Sequence, residues 1–145
     1  MGHTTIVYGN IIGAPWKPED YHKLQRLNKT IISKLPETDN TYPWISKNMF
    51  LVPDPDFDKM YREQVIVIGA SYKSVEQEWD EWLDKFETIL NQLYWTSATI
   101  HLDTELQGQH IYEWTIDADQ TDNWFSDEPR PISTWQFKGG PRKFL

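Results

Sequence analysis

Cysteine is absent from the chain, so disulfides and thiolate-bound metals are excluded and nothing argues for an oxidising compartment. Basic residues are the minority: 14 Lys and Arg face 22 Asp and Glu, for a net charge of −8. Such a balance disfavours a phosphate backbone, so no nucleic acid is expected as a ligand, and it favours basic partners or simple solubility. No stretch approaches the roughly 18 apolar residues of a membrane span. Met1 to Gly13 lacks the basic start and apolar centre of a signal peptide. These absences set the expectation of a cytoplasmic protein with no membrane association. No serine stands in a G-x-S-x-G context, which leaves a nucleophilic hydrolase without support. No repeat or low-complexity linker divides the 145 residues, a length that suits one domain spanning 1–145. What the chain does have is aromatic bulk. Mean hydropathy is −0.66, yet there are 8 Trp, 7 Tyr and 6 Phe, so aromatic rings should dominate both the core and any interface.

The most regular stretch is Ser74 to Leu93. Val75, Trp79, Trp82, Leu83, Phe86, Ile89, Leu90 and Leu93 recur at steps of three and four, which places them on one face of a helix. Ser74 with Gln77 has the spacing of a capping box and predicts the helix start. Away from the apolar face the helix is acidic. Glu76, Asp80, Asp84 and Glu87 line one flank, Glu78 and Glu81 lie further round, and Lys85 is the only basic residue among them.

Before this helix, Thr4 to Ile12 is rich in β-branched residues and predicts a strand, in which Gly9 marks a bulge or the close approach of another backbone. Pro18 suits the first turn of a helix that keeps its apolar spacing to Leu35 and stops at Pro36. Asn48 to Val52 is a short strand closed by PDPDFD, and Gln64 to Tyr72 predicts a central strand buried on both faces near Val65 to Ile68. Beyond the acidic helix, Tyr94 to Leu102 and Gln109 to Ile116 alternate as two strands of a hairpin, with Gly108 supplying a positive φ near the turn. Residues 116–131 predict an acidic loop, Ile132 to Phe137 a final edge strand, and 138–145 a loose basic tail. The sum is an α+β fold in the ferredoxin-like βαββαβ order with an added C-terminal hairpin strand. Its two helices lie on one face of a mostly antiparallel sheet.

Three groups of residues invite a chemical reading. His101 and His110 flank the hairpin turn and, in a symmetric hairpin, face each other; with Asp103, Glu105 and Glu113 nearby they make a candidate metal-binding or acid-base site. Two histidines in a hairpin are more often plain surface polarity. Asp117, Asp119, Thr121, Asn123 and Glu128 fall in an EF-hand-like register, but Asp122 stands where that loop requires glycine, so a solvated acidic loop is the simpler reading. GASYKS precedes a helix and could offer amides to an anion, yet it lacks the further glycines of a phosphate loop. No motif calls for a cofactor. The acidic flank is the least ordinary feature. Glu76, Asp80, Asp84 and Glu87 would steer a cationic protein, with Trp95 and Trp114 as apolar contacts and Trp16, Trp44 and Trp124 as further anchors. The simpler alternative is a solvated helix face.

The block from Tyr61 to Leu106, YREQVIVIGASYKSVEQEWDEWLDKFETILNQLYWTSATIHLDTEL, resembles a segment of small acidic bacterial proteins of the polymorphic-toxin immunity type. The resemblance covers about a third of the chain and carries over no catalytic residue. It implies a non-enzymatic inhibitor whose protein partner is a basic toxin domain, neutralised by steric and electrostatic blockade. Two alternatives stand beside it: a small enzyme or metal-binding domain built on His101 and His110, and a homodimer that pairs sheet faces or edges.

Overall fold

The first strand, β1, runs Thr4–Gly13, and its residues alternate between buried and exposed as strand geometry requires. It heads a computed structural model that describes residues 3–13, 18–54, 63–124 and 126–144, with the backbone alone for 18–21. Trp16 and the later part of PDPDFD lie outside the described residues. Helix α1, Pro18–Ser33, is followed by a 3-10 turn at Lys47–Met49 and the two-residue strand β2, Phe50–Leu51. Next come β3, Gln64–Lys73, and helix α2, Trp79–Leu90. The chain closes with β4, Ser97–Asp103, β5, Gln109–Thr115, and β6, Gln136–Gly139. The strands form one six-stranded sheet in the order β2-β3-β1-β4-β5-β6, antiparallel at every step. The protein is therefore α+β. Among the described residues no helix is long and apolar enough to cross a membrane.

Gly9 sits where β1 passes between Ile68 of β3 and Ile100 of β4 in unbroken register. A Cβ there would overlap the Thr99 carbonyl, so the glycine serves a close approach and not a bulge. Gly108 has φ +81 at the β4–β5 turn, as its position predicts. The core gathers Leu24 and Ile32 of α1, the whole apolar stripe of α2, and the inward residues of β1, β3, β4 and β5 into one cluster. At its centre the Trp79 and Trp82 rings stack at 4.7 Å and Phe86 stacks on Trp82 at 5.3 Å. The sheet answers with Tyr112 at 5.3 Å from Trp79 and Trp114 at 5.1 Å from Phe86.

Several expectations are corrected. The α-helix does not start at Ser74. That residue adopts φ 51, ψ 44, and its hydroxyl accepts the His3 amide instead of capping. Because Ser74 is engaged in fastening the start of β1, the chain first makes a 3-10 turn at Val75–Glu78 and becomes α-helical at Trp79. Nor is β3 central or buried on both faces. It is second from the edge, and Val65 and Val67 are 36% and 45% exposed. Only one side of the strand meets the core, so its continuous apolar run conceals a simple alternation. On the same open face Tyr8 stacks on His101 at 4.7 Å, and Ile6 and Ile111 are exposed beside them. The final strand begins at Gln136, four residues later than Ile132, whose amide is held by the Leu93 carbonyl. The C-terminal segment is not loose: Tyr112 donates to the Pro141 carbonyl, Arg142 forks onto Glu87, and Phe144 packs against the core.

Replacing Gly9 by alanine forces β1 away from β4 and should cost on the order of 2 kcal/mol, read as a lower urea midpoint. An unchanged midpoint would mean that the two backbones have room to part.

Candidate functional site

A surface groove runs past the front end of α2, and its position follows from how the preceding loop is pinned. Lys85 of α2 donates from its ammonium to Asp39 at 2.7 Å and to the carbonyls of Thr41 and Pro43. Asp39 in turn accepts the Thr41 and Ile45 amides. One lysine thus holds a loop across the helix. Burial pushes the Asp39 carboxyl up, but the bond from Lys85 and the two amides reverse that and hold it below its ordinary 3.8. A second chain of bonds fixes the aromatic residues of the loop: the Trp82 indole donates to the Tyr72 hydroxyl, which donates to the Trp44 carbonyl. The Tyr42 hydroxyl donates to the Lys73 carbonyl. Trp44 is consequently displayed, 46% exposed, edge-on to Tyr42 at 4.7 Å.

The groove has a volume of about 750 Å³, and Tyr42, Trp44, Lys73, Gln77, Glu78 and Leu106 line it. An adjoining recess of about 300 Å³ shares His3, Ser74, Gln77 and Leu106 with it and adds Glu76, Gln107 and Phe144. Charges of both signs line the groove, Glu78 and Lys73, and Glu76 is the acidic residue of the recess. Burial first, then the charges of Glu78 and Glu76, push the Tyr42 hydroxyl up to about 12, so that phenol stays a neutral donor. Glu76 itself is 7% exposed, and its Oε1 has no hydrogen-bond partner. On the rim, His3 Nδ1 lies 3.1 Å from Glu105.

The acidic flank expected as one surface is divided. Glu76 is buried in the turn before α2, Asp80 is half-buried, and Asp84 remains exposed. Glu87 is turned inward: Arg142 reaches it at 2.6 Å and the Trp114 indole donates to it at 2.9 Å. Arg142 also comes within 3.7 Å of Asp84 and lies 4.8 Å over the Phe137 ring. The C-terminal segment therefore supplies a cation for the helix that Lys85, committed to Asp39, does not.

Trp95 and Trp114 are not partner contacts. Both are 0% exposed, with their indole N–H groups satisfied by the Leu90 carbonyl and by Glu87. Trp95 precedes β4, so the alternation that assigned it to the outer face does not extend to it. Trp124 is buried as well and donates to the Arg130 carbonyl. Trp44 alone of the described anchors is exposed.

The two histidines do not meet. His101 pairs with Ile111 and His110 with Leu102, and partners in this register have numbers of the same parity, so 101 and 110 fall on opposite faces of the sheet. His101 stacks on Tyr8, whereas His110 packs against Phe144 at 5.1 Å. Asp103 lies on the face of His101, separated from His110 by the sheet itself. The acidic loop folds as a 3-10 turn at Ala118–Thr121 that ends on the buried Trp124. Asn123 accepts the Arg130 amide and Asp117 accepts from Gln136, which uses these oxygens for the loop itself. Among the described residues no group of three His, Asp or Glu side chains could hold a metal ion.

Sequence reasoning missed Tyr42, Leu106 and His3 as groove residues. For Tyr42 the T-Y-P-W run is a hint, since an aromatic pair around proline in a polar connection implies a fixed display, whereas His3 and Leu106 carry no local signal. Comparison with protein-family models, curated proteins and solved structures finds no match for this chain.

Truncating Trp95 or Trp114 to alanine should remove about 3–5 kcal/mol of stability, whereas Trp44→Ala should shift it by less than about 0.5 kcal/mol. Equal losses at all three in urea titration would place Trp44 in the core too. Because the folded-state value of Asp39 is depressed, its stabilisation is complete above 3.8 and disappears as pH falls below it. The advantage of the wild type over Asp39→Asn should hence be largest near neutrality and shrink in acid. A constant difference from neutral pH to well below 3.8 would contradict the pairing with Lys85.

Proposed function

We propose that this chain is a non-enzymatic protein-binding module for a basic partner, in its concrete form an immunity-type inhibitor that blocks a basic toxin domain in the cytoplasm. The observation that carries it is the exposed Trp44, held edge-on to Tyr42 in a groove that Glu78 also lines. A rigid aromatic with a carboxylate beside it suits insertion of an apolar anchor next to a cation, and such aromatics carry a large part of interface energy. The net charge of −8 adds long-range attraction. Glu78, Asp80 and Glu81 remain to steer approach, in place of the fuller flank that the sequence suggested.

The enzyme alternative loses its basis with the separation of His101 and His110 on opposite sheet faces. We also read the scaffold as a ferredoxin-like core, β2-β3-β1-β4, extended at one side by β5 and β6, with both helices on one face. Support comes from the strand order and from the single cluster that α1 and α2 share.

The test is co-production with the polypeptide encoded next to this chain, followed by binding kinetics over a salt series. Association should slow as salt rises, the double variant Glu78→Lys, Asp80→Lys should slow it at least about tenfold, and Trp44→Ala should speed dissociation by a similar factor. Salt-independent association that ignores all three substitutions would remove the groove and its charge from the account.

A further inference from the structure

Among the described residues nine large apolar side chains are exposed, and six of them, Ile6, Tyr8, Leu51, Val65, Val67 and Ile111, fall on the same face of the sheet by register. Single exposed apolar residues are ordinary, whereas a contiguous patch of them marks an interaction surface. Six strands about 4.8 Å apart, the inner four at least seven residues long, give a face about 25 Å on a side. With the relief of its side chains, such a face is on the scale of the roughly 800 Å² that each partner buries in a stable interface. Its charges narrow the choice of partner. The strand residues of this face carry Lys73 and Lys138 against Asp103 and Glu113, so it is balanced although the chain has a net charge of −8. It offers a basic protein no attraction, and two copies of the chain can meet there without net repulsion between the faces.

A knob and a hole stand side by side in the patch. Tyr8 and Gly69 are cross-strand partners. The Tyr8 ring is stacked on His101 of β4, on the side away from β3, and leaves Gly69 bare: a Cβ at that position would meet only the Val7 carbonyl oxygen, at an ordinary 3.9 Å. Gly9, Gly13 and Gly139 are each closed to a side chain by backbone atoms within 3.0 Å. Gly69 is not, and its φ is not positive. A glycine inside a strand costs stability and often marks the close approach of another group, and the described residues supply none here. We propose that this face is the interface of a two-fold homodimer, in which Tyr8 of each copy enters the notch over Gly69 of the other. Because knob and hole adjoin, one rotation fills both, as an isologous contact requires. Two twisted sheets packed face to face about 10 Å apart then cover both apolar patches. The contact is independent of the basic partner proposed above.

Sedimentation equilibrium of the full chain tests this. The mass should rise with concentration from 17.2 kDa to twice that value, with a dissociation constant in about the micromolar range. Added salt should leave association unchanged or tighten it, because it screens the repulsion between two acidic chains. Gly69→Val fills the notch with a side chain that the strand accommodates, so it should keep or raise the thermal midpoint while weakening the dimer at least about tenfold. Val67→Lys, at a position already exposed, should weaken it by a similar factor and serves if Gly69→Val disturbs the strand. Leu27→Lys, at another exposed apolar position on α1, should leave the dimer unchanged. A monomer at every concentration overturns the proposal. In that case protection of the face from a soluble paramagnetic probe would assign its cover to the chain's own residues, and binding to phosphatidylcholine vesicles that Val67→Lys abolishes would assign it to lipid. A dimer that both Gly69→Val and Val67→Lys leave intact would overturn this face as the interface. One that Val67→Lys breaks and Gly69→Val spares would overturn the seating of Tyr8 on Gly69.

Discussion

Stacking of Trp79, Trp82 and Phe86 along α2, against Tyr112 and Trp114 of β5, is the contact on which the rest of the molecule depends. Large rings at helical spacing can nest against the sheet in few ways at interior packing density. Once they are seated, the rotation of α2 about its axis is fixed, and so are the directions of its polar residues. Lys85 then faces the loop and takes Asp39, Glu87 faces β5 and meets Trp114, and the turn at Val75–Glu78 starts from Ser74, which is bonded to His3. The groove is a by-product of that rotation.

Polar fastenings secure the periphery. Asn28 of α1 bonds both backbone groups of Tyr94 and the side chain of Gln64, and Gln64 donates on to the Gln25 carbonyl. A fully satisfied cluster of this kind specifies one arrangement of α1 on the sheet, because any other would leave amides buried and unpaired. The contrast with Glu76 gives that residue its interest. Among the described residues, Glu76 Oε1 and Trp79 Nε1 are the buried side-chain atoms without a hydrogen bond.

The charge story is less simple than a carboxylate row on a helix. Arg142 returns from the C-terminal segment to neutralise Glu87 and approach Asp84, and it does so over the Phe137 ring. What remains for a partner is concentrated toward the front of α2, near Glu78 and the aromatic loop. Acidity and the exposed tryptophan thereby converge on one end of the helix, a more specific surface than a flank of evenly spaced charges.

The sequence alone determined which segments are helix and strand, since apolar periodicity is a local property and survives without knowledge of neighbours. It also marked Gly108 as a positive-φ position and Gly9 as a bulge or a close approach, and it placed the rings of α2 inside. Tertiary structure decided everything that depends on register or on residues distant in the chain. A one-residue difference in hairpin register separates His101 from His110 by the thickness of the sheet. The engagement of Ser74 with His3 moved the helix start by a turn, and burial of Trp95, Trp114 and Trp124 turned expected contacts into core. No periodicity foretells that Arg142 will reach Glu87 or that Glu76 will be left unpaired. Both follow from which parts of the fold come to rest against α2, and such contacts between remote segments leave no local pattern in the chain.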